Sequence, residues 1–135
     1  MRPATGARDT MKRDQTMLIQ LSSRKEAIAD GALIDVTATA QEAGIRHPTA
    51  LTRAVWERFV KVPQGATGQD EAGRLWDILW MLQTAARKSA PKETSLHFNL
   101  WVHDGEEMQY VGLKAICGPG DDLEPVITVM LPGVA

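Results

Sequence analysis

Between Leu75 and Leu82 the chain reads Leu-Trp-Asp-Ile-Leu-Trp-Met-Leu, and Asp77 is the only polar residue in the run. Helix punctuation surrounds it. Thr67 and Asp70 offer side-chain acceptors to a first turn, Arg87 and Lys88 suit the negative helix end, and Pro91 prevents continuation. These signals predict a helix over about 69–88, roughly five turns. Asp70, Glu71 and Arg74 belong to its start and support it electrostatically. A helix resting on one core shows an apolar stripe of about 100°, yet here the middle turns are apolar almost all round. Such a helix needs cover on several sides, from its own domain or from another molecule.

After Pro91 the period changes from helical to two. Leu96, Phe98, Leu100 and Val102 alternate with His97, Asn99, Trp101 and His103, which predicts a strand. Asp104-Gly105 is a hairpin signal. Met108 to Cys117 reads as a second strand, with Val111, Leu113, Ala115 and Cys117 on one face. Gly118 to Asp122 is a turn cluster, and Pro125 to Leu131 a third strand, apolar on nearly both faces.

Upstream, Met17 to Leu21 is a short apolar stretch with the look of an edge strand. Ser23 and Glu26 have the spacing of a capping box, and Gly31 suits a helix stop. Leu33 to Val36 reads as extended, and Thr37 or Thr39 as the cap of a second short helix ending at Gly44. His47-Pro48 is then predicted to open a third helix, with proline at its first position and Leu51, Val55, Phe59 and Val62 on its inner side. Helices first and strands last favour an α+β fold. The expected architecture is N-terminal helices, with the long one central, on one face of a C-terminal three-stranded antiparallel meander. Residues 1–16 read as a flexible leader, and 17–135 as a single domain.

Composition narrows the function classes. At 135 residues, 44% hydrophobic and 24% charged, the chain is ordinarily globular. A formal charge of −2 supplies no global attraction for nucleic acid or anionic membrane. No apolar run approaches the ~18 residues of a membrane span. Cys117 is the only cysteine, so an intramolecular disulfide is impossible and a reducing cytoplasm is the expected compartment. No cofactor fingerprint is present. His97 and His103, six residues apart on one strand, are separated by roughly 20 Å and cannot share a metal ion.

Two surfaces remain as candidates. His97, Asn99, Trp101 and His103, with Tyr110 and Lys114 across the sheet, line the face opposite the core. This is either the ordinary solvent face of an antiparallel sheet or a polar-aromatic binding surface. It also holds the general-base histidine and the lysine that a small ribonuclease would need. The helix contributes Trp76 and Trp80, since large aromatics dominate interface energetics. Asp104, Glu106, Glu107, Asp121 and Asp122 offer carboxylates that could imitate phosphates toward a basic partner. Asp77 is either the helix's water-facing position or a buried acid with a raised pKa.

Several blocks carry a resemblance: Asp30-Gly31, Asp35-Val36-Thr37, Pro48 to Trp56, Gln69 to Asp77, Cys117 to Asp122 and Glu124 to Pro132. Together, over Met17 to Leu131, they resemble an uncharacterised bacterial domain family carried on plasmids and integrative mobile elements. The resemblance implies context rather than chemistry. It points to a non-catalytic accessory protein that binds a protein partner, as an inhibitor of host defence (anti-CRISPR or anti-restriction) or a regulator of transfer. The alternative is the small ribonuclease using His97 or His103 with Lys114.

Overall fold

The computed structural model describes residues 23–90 and 92–133. The leader over 1–16, the strand over 17–21 and the helix stop at Pro91 lie outside the described residues. Helix α1, Arg24–Ala29, begins as its sequence requires. The Ser23 hydroxyl accepts from the Glu26 N–H, while the Glu26 carboxylate accepts from the Ser23 N–H. It ends where Gly31 takes a φ of 87°, open to glycine at little cost. Strand β1, Leu33–Asp35, leads to helix α2, Thr37–Glu42. Neither Thr37 nor Thr39 caps α2. The Thr37 hydroxyl instead donates to Asp35 and accepts from the Thr49 N–H, tying the helix start to the next strand.

The segment after Pro48 departs from expectation. Thr49–Thr52 is a strand, β2, not the start of a helix. Pro48 restricts His47 to extended backbone, and the chain stays extended because partners await on both sides. β2 pairs antiparallel with β1 and parallel with the last strand. Only at Thr52, whose hydroxyl accepts from the Val55 N–H, does the chain turn into helix α3, Arg53–Val55. It continues as a π-helical turn over Trp56–Val60, where the Lys61 N–H donates to the Trp56 carbonyl at 2.9 Å. The wider turn changes the spacing of buried residues. Val55 and Val60, five apart, are fully enclosed, while Phe59 and Val62 are only partly so.

Helix α4, Glu71–Lys88, is capped by the Asp70 carboxylate accepting from the Gly73 N–H. Strands β3 (Ser95–His103), β4 (Met108–Pro119) and β5 (Pro125–Met130) follow. They form the expected antiparallel meander, but it is part of a larger sheet. The strand order is β1-β2-β5-β4-β3, five strands of mixed direction. That explains why β5 is apolar on both faces: it is central, flanked by β2 and β4. One inward row, Ile34, Leu51, Val129, Ala115 and Leu96, crosses all five strands in register.

The core lies between this face and α4, whose Leu75, Ile78, Leu79 and Leu82 are buried. The helix is therefore covered along one stripe rather than all round. Trp76 and Met81 are half-buried on its flanks, and Asp77 and Trp80 are left open. Among the described residues no helix is long and apolar enough to cross a membrane.

Candidate functional site

Among the described residues the sheet ends at β3, so one side of that strand has no neighbour. Its hydrogen-bonding phase follows from both ends of the β3–β4 ladder. The Cys117 N–H donates to the Thr94 carbonyl at 2.7 Å, and the Asp104 N–H donates to the Glu107 carbonyl at 3.0 Å. Antiparallel ladders alternate, so Leu96, Phe98, Leu100 and Val102 direct their backbone groups to β4. His97, Asn99, Trp101 and His103 direct theirs outward. Trp101 and Tyr110 are therefore a non-hydrogen-bonded cross-strand pair, the geometry that brings side chains closest. Their ring centroids are 5.0 Å apart.

Helix α4 runs beside this edge and presents its own aromatic pair. Trp76 and Trp80, one helical turn apart, stack at 5.9 Å with planes 16° from parallel. A groove of about 360 Å³ is lined by Asp77, Trp80 and Met81 of α4 and by Asn99, Leu100, Trp101 and Tyr110 of the sheet. Trp80 is 46% exposed, Trp101 59% and Tyr110 61%. The helix and the outer sheet face, separate candidates in the sequence, thus both border one groove at the β3 edge.

Below it a smaller hollow of about 60 Å³ is bordered by Phe59, Gln69, Arg74, Asp77, His103 and Met108. Arg74 is its chemical centre. The residue is 5% exposed, and its guanidinium donates through Nε to the Val60 carbonyl and through Nη1 to Gln69 and to the His103 carbonyl. Nη2 has no partner among the described residues. Burial lowers the Arg74 pKa, opposed by the nearby Asp77 charge. Asp77 is shifted upward by loss of hydration, opposed by Arg74. Arg74 therefore does more than support the helix start. The sequence did carry a signal for its burial, since it precedes Ile78 by one turn and so falls on the apolar stripe.

The remaining candidates disperse. His97 stands directly across from Lys114, while His103 lies at the far end of the strand with Nδ1 accepting from the Gly105 N–H. The two histidines do not meet. Arg24 reaches onto the outer sheet face, donating to the Thr128 hydroxyl and the Ile127 carbonyl, so that end of the face is occupied.

The acidic residues split between opposite ends of β4 and form no continuous surface. Asp104 accepts from the Glu106 and Glu107 N–H groups and shapes the β3–β4 turn; those bonds hold its pKa down. Gln109 donates to both Asp104 and Glu107, and Glu106 is exposed beside them. Asp121 accepts from the Arg24 and Lys25 N–H groups at the start of α1, and Asp122 is an exposed turn residue. Cys117 is half-buried. Among the described residues no three His, Cys, Asp or Glu side chains are grouped to hold a metal ion.

Over residues 12–134 the chain matches the family described as "Family of unknown function (DUF6573)". Neither a similar curated protein nor a similar solved structure was found.

Proposed function

The chain belongs to the DUF6573 family, and from that premise we propose that it is a non-catalytic docking protein whose groove between α4 and β3 receives a protein partner. One observation carries the reading: Trp80 from the helix and the Trp101–Tyr110 pair from the sheet line one open groove, each about half exposed. Tryptophan and tyrosine in such a setting bury large area at little rotamer cost, and dominate measured interfaces. The resemblance to mobile-element proteins supports a host complex as the partner, with inhibition of defence or regulation of transfer as the proposed consequence. The test is co-purification of the tagged full chain from host lysate, beside the Trp80→Ala/Trp101→Ala variant. A stoichiometric partner retained by the first and lost by the second supports docking. Equal retention sinks it.

A second reading, RNA cleavage, rests on His97 standing across from Lys114. It requires expression to be toxic and His97→Ala to relieve the toxicity. Absence of cleavage of total RNA by the purified chain removes it.

A further inference from the structure

We infer that the groove takes an extended, lysine- or arginine-bearing peptide segment of the partner, added to the sheet as a sixth strand along the free edge of β3. The inference rests on the docking reading above and names the chemistry of its occupant.

Three features of the groove converge on that chemistry. First, β3 is a nine-residue edge strand. The outward N–H and C=O groups of His97, Asn99 and Trp101 have no ladder partner among the described residues, because the strand order ends there. Sheets normally blunt such an edge with charge, proline or a covering element. Here the last outward carbonyl, that of His103, is satisfied by Arg74. The open stretch of three alternate residues lies beside the groove, since Asn99 and Trp101 also line it. Strand addition uses main-chain bonds for affinity and flanking pockets for alternate side chains.

Second, the groove suits a cation. Trp80, Trp101 and Tyr110 line it, and aromatic rings attract positive charge through their quadrupoles; Asp77 adds a carboxylate to the same lining. Loss of hydration raises the Asp77 pKa against the opposing charge of Arg74, and an incoming cation adds to the countercharge that Arg74 already supplies.

Third, the charge around the groove complements such a segment. Asp104, Glu106 and Glu107 continue the acidic character past the end of β3. The guanidinium of Arg74 is engaged with Val60, Gln69 and His103 and turned into the protein. A strand bearing lysine at alternate positions can therefore place one ammonium in the aromatic groove and a second toward the β3–β4 turn, about two residues, or ~7 Å, further along.

The test uses the full chain and two synthetic ten-residue peptides of alternating Thr and Val. Two threonines are replaced by Lys in one peptide and by Glu in the other. The lysine peptide should quench tryptophan fluorescence and slow amide hydrogen exchange at His97, Asn99 and Trp101. Asp77→Asn should weaken it roughly tenfold. Asn99→Pro removes one outward N–H while leaving the main-chain donors to β4 in place, at the cost of the Asn99 side-chain bond to the Val111 carbonyl, and should abolish the added protection; its unfolding temperature reports whether the fold is intact. Exchange protection in the unaltered chain keeps the test decisive if that variant does not fold.

Equal binding of the glutamate peptide overturns the cation assignment. Fluorescence quenching without amide protection overturns strand addition. A concentration-dependent dimer lost in Trp80→Ala would make the occupant a second copy of this chain, and also overturns the inference. Failure of the lysine peptide while the Trp80/Trp101 variant still loses its captured partner overturns only the peptide chemistry and leaves docking standing.

Discussion

Arg74 and His103, 29 residues apart in sequence, are joined by an Nη1–H to carbonyl hydrogen bond of 3.0 Å that fastens helix α4 to the free edge of the sheet. The same guanidinium donates to the Val60 carbonyl at the end of the π-helical turn. One buried cation thus holds three elements together beside the smaller hollow.

Removing that cation takes a donor from the buried Val60 carbonyl and from the part-buried His103 carbonyl. Arg74→Met keeps much of the volume and the helix propensity and should cost about 2–3 kcal/mol in chemical denaturation. Arg74→Lys cannot reproduce the fork and should recover only part of the loss. A variant as stable as the parent would show that Arg74 is not a structural clamp.

Neighbouring residues of α4 should separate stability from binding. Leu79 is fully buried, and Leu79→Ala should cost about 3 kcal/mol of stability. Trp80, 46% exposed, should cost no more than about 1 kcal/mol when cut to alanine. As a groove wall it should weaken partner binding by about 2 kcal/mol or more, roughly thirtyfold. Calorimetric unfolding and titration of the two variants provide the comparison.

Asp121 predicts a pH dependence. Backbone donors at Arg24 and Lys25 hold its folded-state pKa below the ordinary 3.8. A depressed carboxylate stabilises the fold at pH values above its unfolded pKa, and that stability is lost as pH falls through the folded value. Asp121→Asn should therefore be less stable than the parent at pH 7. The gap should narrow as the pH drops below about 3.8. A gap that is constant from pH 7 to pH 2 would assign the effect to shape rather than charge.

Leu123 is the one non-glycine residue with positive φ among those described, at 65°, and it is 82% exposed. A left-handed leucine costs about 1 kcal/mol or more, and an exposed one loses little packing when replaced. Leu123→Asn should raise stability by up to about 1 kcal/mol in urea unfolding. A loss of stability would mean that the leucine side chain makes contacts that its exposure does not reveal.

Much of this fold was legible locally. The Ser23–Glu26 box, the Asp70 cap, the alternation through β3 and the Asp104-Gly105 turn each declare themselves within a few residues. The segment from Pro48 was not legible. Leu51, Val55 and Phe59 satisfy a helical spacing, but Leu51 belongs to a strand because β1 and β5 offer it ladder partners. A short local pattern cannot outweigh ladder hydrogen bonds to two strands that meet β2 only through tertiary pairing.

The candidate site divides in the same way. Trp76, Trp80, Trp101 and Tyr110 stand out in the sequence as large aromatics and candidate anchors, though on two separate surfaces. Periodicity alone determined the long helix, its caps, the three C-terminal strands and the inward faces of each, because those depend on backbone geometry within a few residues. Only the tertiary structure decided that β2 enters between β1 and β5, that β3 is left at the edge, and that Arg74 binds α4 beside it. Strand order and helix placement are settled by long-range hydrogen bonds and packing, which no local period encodes. For that reason Trp80 and the Trp101–Tyr110 pair, which read as separate surfaces, come to line one groove.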